Sequence, residues 1–152
     1  MLKNTSGKYG AISKFFHWII AFAIIFILFL GFFMGDLASS FSINLYTLHK
    51  SIGISVLLLM FLRLFWRLVN VVPVWPKKMP AWERFLSHIS HVLLYLLSFI
   101  APLSGWIMST ASNHAPNVWW LYKWNMPGIS KDHKIANAAH DIHSIVAWML
   151  VV

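Results

Sequence analysis

From Phe15 to Met34 the chain reads FFHWIIAFAIIFILFLGFFM, with no Asp, Glu, Lys or Arg. As a helix this stretch rises about 30 Å, the thickness of a bilayer's hydrocarbon core. In that medium only a helix or a closed barrel satisfies its own backbone. Two more apolar runs follow, from Leu45 to Val69 and from Phe85 to Thr110. The charges of the second lie near its ends, where long cationic stems reach the interface. A fourth run starts near Asn137 and reaches Val152, about 24 Å as a helix, which is short of the core thickness. The predicted fold is all-α, a four-helix transmembrane bundle in one domain covering residues 1–152. Its spans lie at about 15–34, 45–69, 85–110 and 137–152, the fourth truncated.

Composition agrees. Charged residues make up 11% of the 152, against about 25% in soluble domains, so a soluble enzyme, a disordered tail and a coiled coil are excluded. The absence of cysteine excludes disulfides, thiolate nucleophiles, iron–sulfur clusters and Cys-ligated zinc. The net charge of +8 points to topology and anionic lipid headgroups, not to nucleic acid. Lys3, Lys8, Lys14, Arg63, Arg67, Lys77, Lys78 and Arg84 fall on one side of the spans; Lys50, Lys123, Lys131 and Lys134 fall on the other. That asymmetry predicts a cytoplasmic N-terminus. No small-residue cleavage signal precedes the first run, so it is read as a retained span. The long loop after Thr110 shows no evident secondary structure, and its Trp119, Trp120, Tyr122 and Trp124 suit the membrane–water interface.

Histidines at membrane depth carry the functional signal, because ionisable groups there are costly and by default mark a site. His17 lies about a turn from the inner end of the first span, and His49 lies near the outer end of the second. His88 and His91, three residues apart, share one face at the inner start of the third. His140 and His143 repeat that spacing at the outer start of the fourth run. The depths form two levels, His49 with His143 outside and His17, His88 and His91 inside. A neutral imidazole needs no counter-charge and ligates a metal or haem iron through one nitrogen, so the pattern suits two stacked haems. Packing hydrogen bonds between helices are the plain alternative for each histidine taken singly. His114 and His133 lie in the loop and are read as solvated.

The segments FFHWIIA, YTLHKSIGISVLLLMFLRLFWRL, LSHISHVLLYLLSFIAPLSGWIMS and HDIHSIVAW, in that order, resemble the bacterial cytochrome b561 family. These are four-helix, di-haem b proteins that include the superoxide oxidases. The resemblance runs from about Lys8 to Val152 and implies that His17, His49 and His143 are axial ligands of haem iron, with His49 and His143 sharing one haem. It places a fourth ligand about four helical turns after His143, beyond Val152, so two haems b are expected, with the inner site incomplete in this sequence. Arg63, Arg67, His88 and His91 are then candidate contacts for haem propionates or a quinone.

The resemblance implies transmembrane electron transfer in a bacterial inner membrane. Its enzymatic form is superoxide:ubiquinone oxidoreductase, with superoxide oxidised at the periplasmic face and ubiquinone as acceptor. Lys50 and Lys123 are the candidates for steering the superoxide anion. Two rivals stand beside this. One is a cytochrome b subunit passing electrons from a partner dehydrogenase or hydrogenase to quinone. The other is a haem-free membrane scaffold or small transporter. Expected partners are membrane lipids, a quinone and, for the first rival, a redox protein.

Overall fold

The computed structural model describes residues 1–35, 39–76 and 78–151, with the backbone alone for 39–44. Lys77, which entered the charge argument, and Val152, which closed the fourth span, lie outside the described residues. Four helices and one short hairpin follow in the order α1 (Ala11–Phe33), α2 (Ser39–Val69), α3 (Ala81–Ala111), β1 (Asn117–Val118), β2 (Tyr122–Lys123) and α4 (His133–Val151). Three helices are long and apolar enough to cross a membrane, over Ala11–Phe33, Leu45–Val69 and Ala81–Ala111. The fourth element of the expected bundle is present as a helix, but it is not among those three.

Local chemistry explains where the boundaries moved from the expected ones. α1 begins at Ala11, four residues early, because the first residues fold back onto it. The backbone N–H of Ala11 donates to the Met1 carbonyl (3.1 Å) and that of Ile12 to the Leu2 carbonyl (3.4 Å). This close approach requires Gly10, since a Cβ there would collide with the carbonyls of Leu2 and Lys3. α3 opens after Pro80, with Glu83 in its first turn facing the positive end of the helix dipole. α4 starts at His133 and not near Asn137. The Asp132 carboxylate accepts the N–H groups of Lys134 (2.7 Å) and Ile135 (3.3 Å), an N-cap that apolar periodicity does not register.

Packing runs in chain order, α1 on α2, α2 on α3, and α3 most closely on α4. The α1–α2 core is Ile20, Val56 and Met60, enclosed by Phe16, Ile24, Leu59, Tyr95 and Phe99. Outward-facing Phe22, Phe26, Phe29, Phe61, Phe65 and Leu94 leave broad apolar faces exposed, as surfaces facing lipid require. The loop after α3 contains structure that the sequence reading missed. β1 and β2 pair antiparallel, Asn117 with Lys123 and Val118 with Tyr122. Trp119 and Trp120 turn between them at φ 50° and 61°, a left-handed conformation rare for bulky residues. Side chains of α2 hold that turn. Ser51 Oγ accepts the Trp119 N–H (2.8 Å), and the Trp119 indole donates to Ser55 Oγ (3.1 Å).

Candidate haem-binding clefts

Two clefts open between the helices, at the heights where the histidines were expected. The outer one encloses about 490 Å³ and is lined from all four helices, with buried Pro116 of the loop also part of its wall. That volume falls within the roughly 300–1,000 Å³ of cofactor pockets. His49 from α2 and His143 from α4 meet there, ring centres 6.1 Å apart and planes at 76°. His143 Nδ1 donates to the Ala101 carbonyl (2.8 Å), with Ser104 Oγ 3.3 Å away. The Nδ1 of His49 is buried with no hydrogen-bond partner.

The inner cleft, about 250 Å³, is lined by His17, His91, Arg63, Arg67, Tyr95 and Lys14 among others. The Arg63 guanidinium donates to His17 Nδ1 (3.4 Å). Arg63 and Arg67 both lie over the Tyr95 ring, 5.2 and 5.6 Å from its centre, within cation–π range. Among the described residues neither arginine has a carboxylate in ion-pair reach. Two half-buried guanidinium groups without an acidic partner among the described residues are chemically able to take up an anionic group.

The levels are well separated. His49 packs against Gly31 of α1, and fourteen helical residues from His17 to Gly31 span about 21 Å. Of the other candidates, His91 lines the inner cleft, but its Nδ1 donates to the Ser87 carbonyl of its own helix (2.6 Å). His88 is exposed and lines neither of the two clefts. The Lys50 ammonium donates to the His114 carbonyl (2.8 Å), tying α2 to the loop, whereas Lys123 is exposed on β2. Sequence reading missed Ala101, Ser104 and Gly105 as neighbours of His143. The only trace of them in the chain is a Ser-Gly pair inside an apolar helix.

The family model described as prokaryotic cytochrome b561 matches residues 8–152. The chain is also 31% identical over 152 residues to cytochrome b561 homolog 2 of Escherichia coli (strain K12), covering 98% of this chain and 80% of that protein. The chain belongs to the prokaryotic cytochrome b561 family. Membership implies haem b, transmembrane electron transfer and a membrane location, and the three apolar helices agree with the last.

The outer cleft of this cytochrome fits a haem on its own observations. Two imidazoles supply two ligands, so a metal between them takes the others from a group brought in. With metal–imidazole bonds of about 2 Å, two imidazoles that would share one metal can have ring centres up to a little over 6 Å apart, and the 6.1 Å observed lies within that reach. Because Nδ1 of His143 is engaged by a carbonyl, its Nε2 is the ring nitrogen free to take a metal, an arrangement common for metal-bound histidine.

Proposed function

We propose that this cytochrome oxidises superoxide at the periplasmic face and delivers the electrons to ubiquinone nearer the cytoplasmic face. The observation that carries the reading is the meeting of His49 and His143 in one cleft 6.1 Å apart, about 21 Å in helix rise from a second cleft holding His17 and two guanidinium groups that have no carboxylate partner among the described residues. In this reading His49 and His143 hold one haem b and His17 a second, with Arg63 and Arg67 taking propionate or quinone oxygens. α4 lies along α3 as the fourth membrane helix, and at about 1.5 Å per residue its 19 residues come close to spanning the core. The N-terminus is cytoplasmic, on the side richer in Lys and Arg.

Haem b would supply a one-electron carrier, and in the outer cleft, where His49 and His143 would both hold it, such double imidazole ligation favours electron transfer over oxygen binding. The chain's own residues do the rest. Lys123, Lys131 and Lys134 stand exposed on the outer loop and the start of α4. Their field raises the encounter rate of an anion. Lys50 is held by the His114 carbonyl beside His49, which keeps one positive charge fixed at the cleft mouth. The loop hairpin covers the outer end of α2 through Ser51 and Ser55 and limits water access. Two superoxide anions each lose one electron and leave as O2, while one quinone gains two electrons and two protons to become quinol.

The test is stoichiometric. Purified, haem-loaded protein in nanodiscs with ubiquinone is exposed to a superoxide flux, and quinol is measured against superoxide consumed. Two superoxide per quinol, without any added protein, is the expected result. Quinol formation that requires a co-purifying dehydrogenase or hydrogenase overturns it in favour of a cytochrome subunit. A preparation without Soret and alpha bands under ample haem supply overturns the haem assignment itself.

A further inference from the structure

In an α-helix every Cα–Cβ bond tilts toward the N-terminus, so the Cβ of residue i+4 leans back over the carbonyl oxygen of residue i. A side chain from a neighbouring helix reaches that oxygen readily where the Cβ is missing. His143 of α4 meets this condition on α3. Its Nδ1 lies 2.8 Å from the Ala101 carbonyl, and the residue four further along is Gly105. A Cβ on Gly105 would stand 3.1 Å from Cε1 and 3.2 Å from Nδ1 of the imidazole.

The other helix pair repeats the arrangement. The His49 ring of α2 rests on Gly31 of α1, where a Cβ would stand 3.2 Å from Cε1 and 3.7 Å from Nδ1. The carbonyl four residues before Gly31 is that of Ile27, placed relative to Gly31 as the Ala101 carbonyl is relative to Gly105. Among the described residues His49 Nδ1 is a buried side-chain nitrogen without a hydrogen-bond partner, so it is free to donate to such a carbonyl. Gly53 shows that a helical glycine here is not always of this kind. A Cβ there meets only Ile27 Cδ1 at 3.5 Å, an ordinary contact.

We propose that Gly31 and Gly105 are positioning residues: Gly105 uncovers the Ala101 carbonyl that holds the Nδ1–H of His143, and Gly31 leaves the Ile27 carbonyl open to the so far unpartnered Nδ1–H of His49, so that both Nε2 atoms are left for the ligand. The proposal rests on the reading of His49 and His143 as haem ligands and extends it to two residues that carry no polar side chain. An Nδ1–H held by a carbonyl fixes the tautomer and the ring orientation and makes the ligating nitrogen more basic. A more basic ligand favours ferric over ferrous iron. A Cβ at 3.1 Å forces the ring away by a few tenths of an ångström, which takes a 2.8 Å bond toward the long end, about 3.2 Å, of the N–H···O range. The neighbouring Ser104 hydroxyl donates to the same Ala101 carbonyl (2.9 Å) and competes for it once the ring retreats.

Two measurements test this. In haem-free protein labelled with 15N-histidine in nanodiscs, wild-type His143 is expected as the Nδ1–H tautomer. Gly105→Ala is expected to give a mixture with Nε2–H, and Gly53→Ala to change nothing. In haem-loaded protein, Gly31→Ala and Gly105→Ala are expected to raise the midpoint potential of the same haem and shift its ferric electron paramagnetic resonance signal. An Nε2–H tautomer at wild-type His143 overturns the proposal even where a variant fails to fold. So does a Gly105→Ala protein with unchanged tautomer and potential. Failure of wild-type protein to bind haem defeats the ligand reading alone, and the tautomer measurement still decides the glycine role.

Discussion

Ser51→Ala tests how the outer loop is held. Ser51 is completely buried (0% exposed). Its hydroxyl donates to the Thr47 carbonyl (2.7 Å) and accepts the backbone N–H of Trp119 (2.8 Å). Alanine leaves the Thr47 carbonyl its ordinary helical partner, but it leaves the Trp119 N–H with none. An orphaned buried donor costs about 1–3 kcal/mol. At a factor of ten per 1.4 kcal/mol, the opening equilibrium of the hairpin rises roughly 5- to 150-fold. Trp119 sits at φ 50°, so the strain of a left-handed tryptophan adds to the drive to open. Ser55→Ala is the control. It removes only the acceptor of the indole N–H of an exposed Trp119, which water or a headgroup replaces, so the change stays at about 1 kcal/mol or below. Amide hydrogen exchange of residues 117–124 in nanodiscs reads both variants. Exchange in Ser51→Ala no faster than wild type, or slower than in Ser55→Ala, refutes the reasoning.

Three further outcomes follow from the same geometry. His49→Ala and His143→Ala should each abolish the same haem, seen as loss of the same component in a potentiometric titration; loss of different components breaks the pairing. Lys123→Glu should lower the rate of superoxide consumption several-fold at low salt and by much less at high salt, since screening removes the steering of exposed charge; a salt-independent loss points to something other than steering. Gly10→Ala should release the first residues from α1 by breaking two hydrogen bonds, about 2 kcal/mol locally, and speed tryptic cleavage at Lys3 and Lys8. Cleavage at wild-type rates shows that the fold-back tolerates a side chain.

Much of the frame was legible before any coordinates. Runs such as Phe15–Met34 declare membrane helices because hydropathy is a sum over neighbours in the chain and needs no knowledge of packing. The two histidine levels were legible for the same reason, since depth along a span is a matter of counting residues. Boundaries were less so. α4 starts at His133 because the Asp132 carboxylate caps it, and a polar cap lies outside an apolar pattern. The β1–β2 hairpin escaped notice because its turn is made by Trp119 and Trp120 at positive φ, where Gly or Asn is the usual signal. His88 had looked equivalent to His91, yet only His91 reaches the inner cleft, since a spacing of three residues leaves the two rings on one broad face without saying which points inward.

The amino-acid order thus determined three membrane-length helices and where the imidazoles stand along them, properties that accumulate locally. The tertiary structure decided that His49 and His143, distant in the chain, meet at 6.1 Å. It also decided that glycines on α1 and α3 lie against their rings and that Lys50 ties down a loop. These depend on how helices pack against one another, and a contact between helices leaves no periodic trace in either one alone.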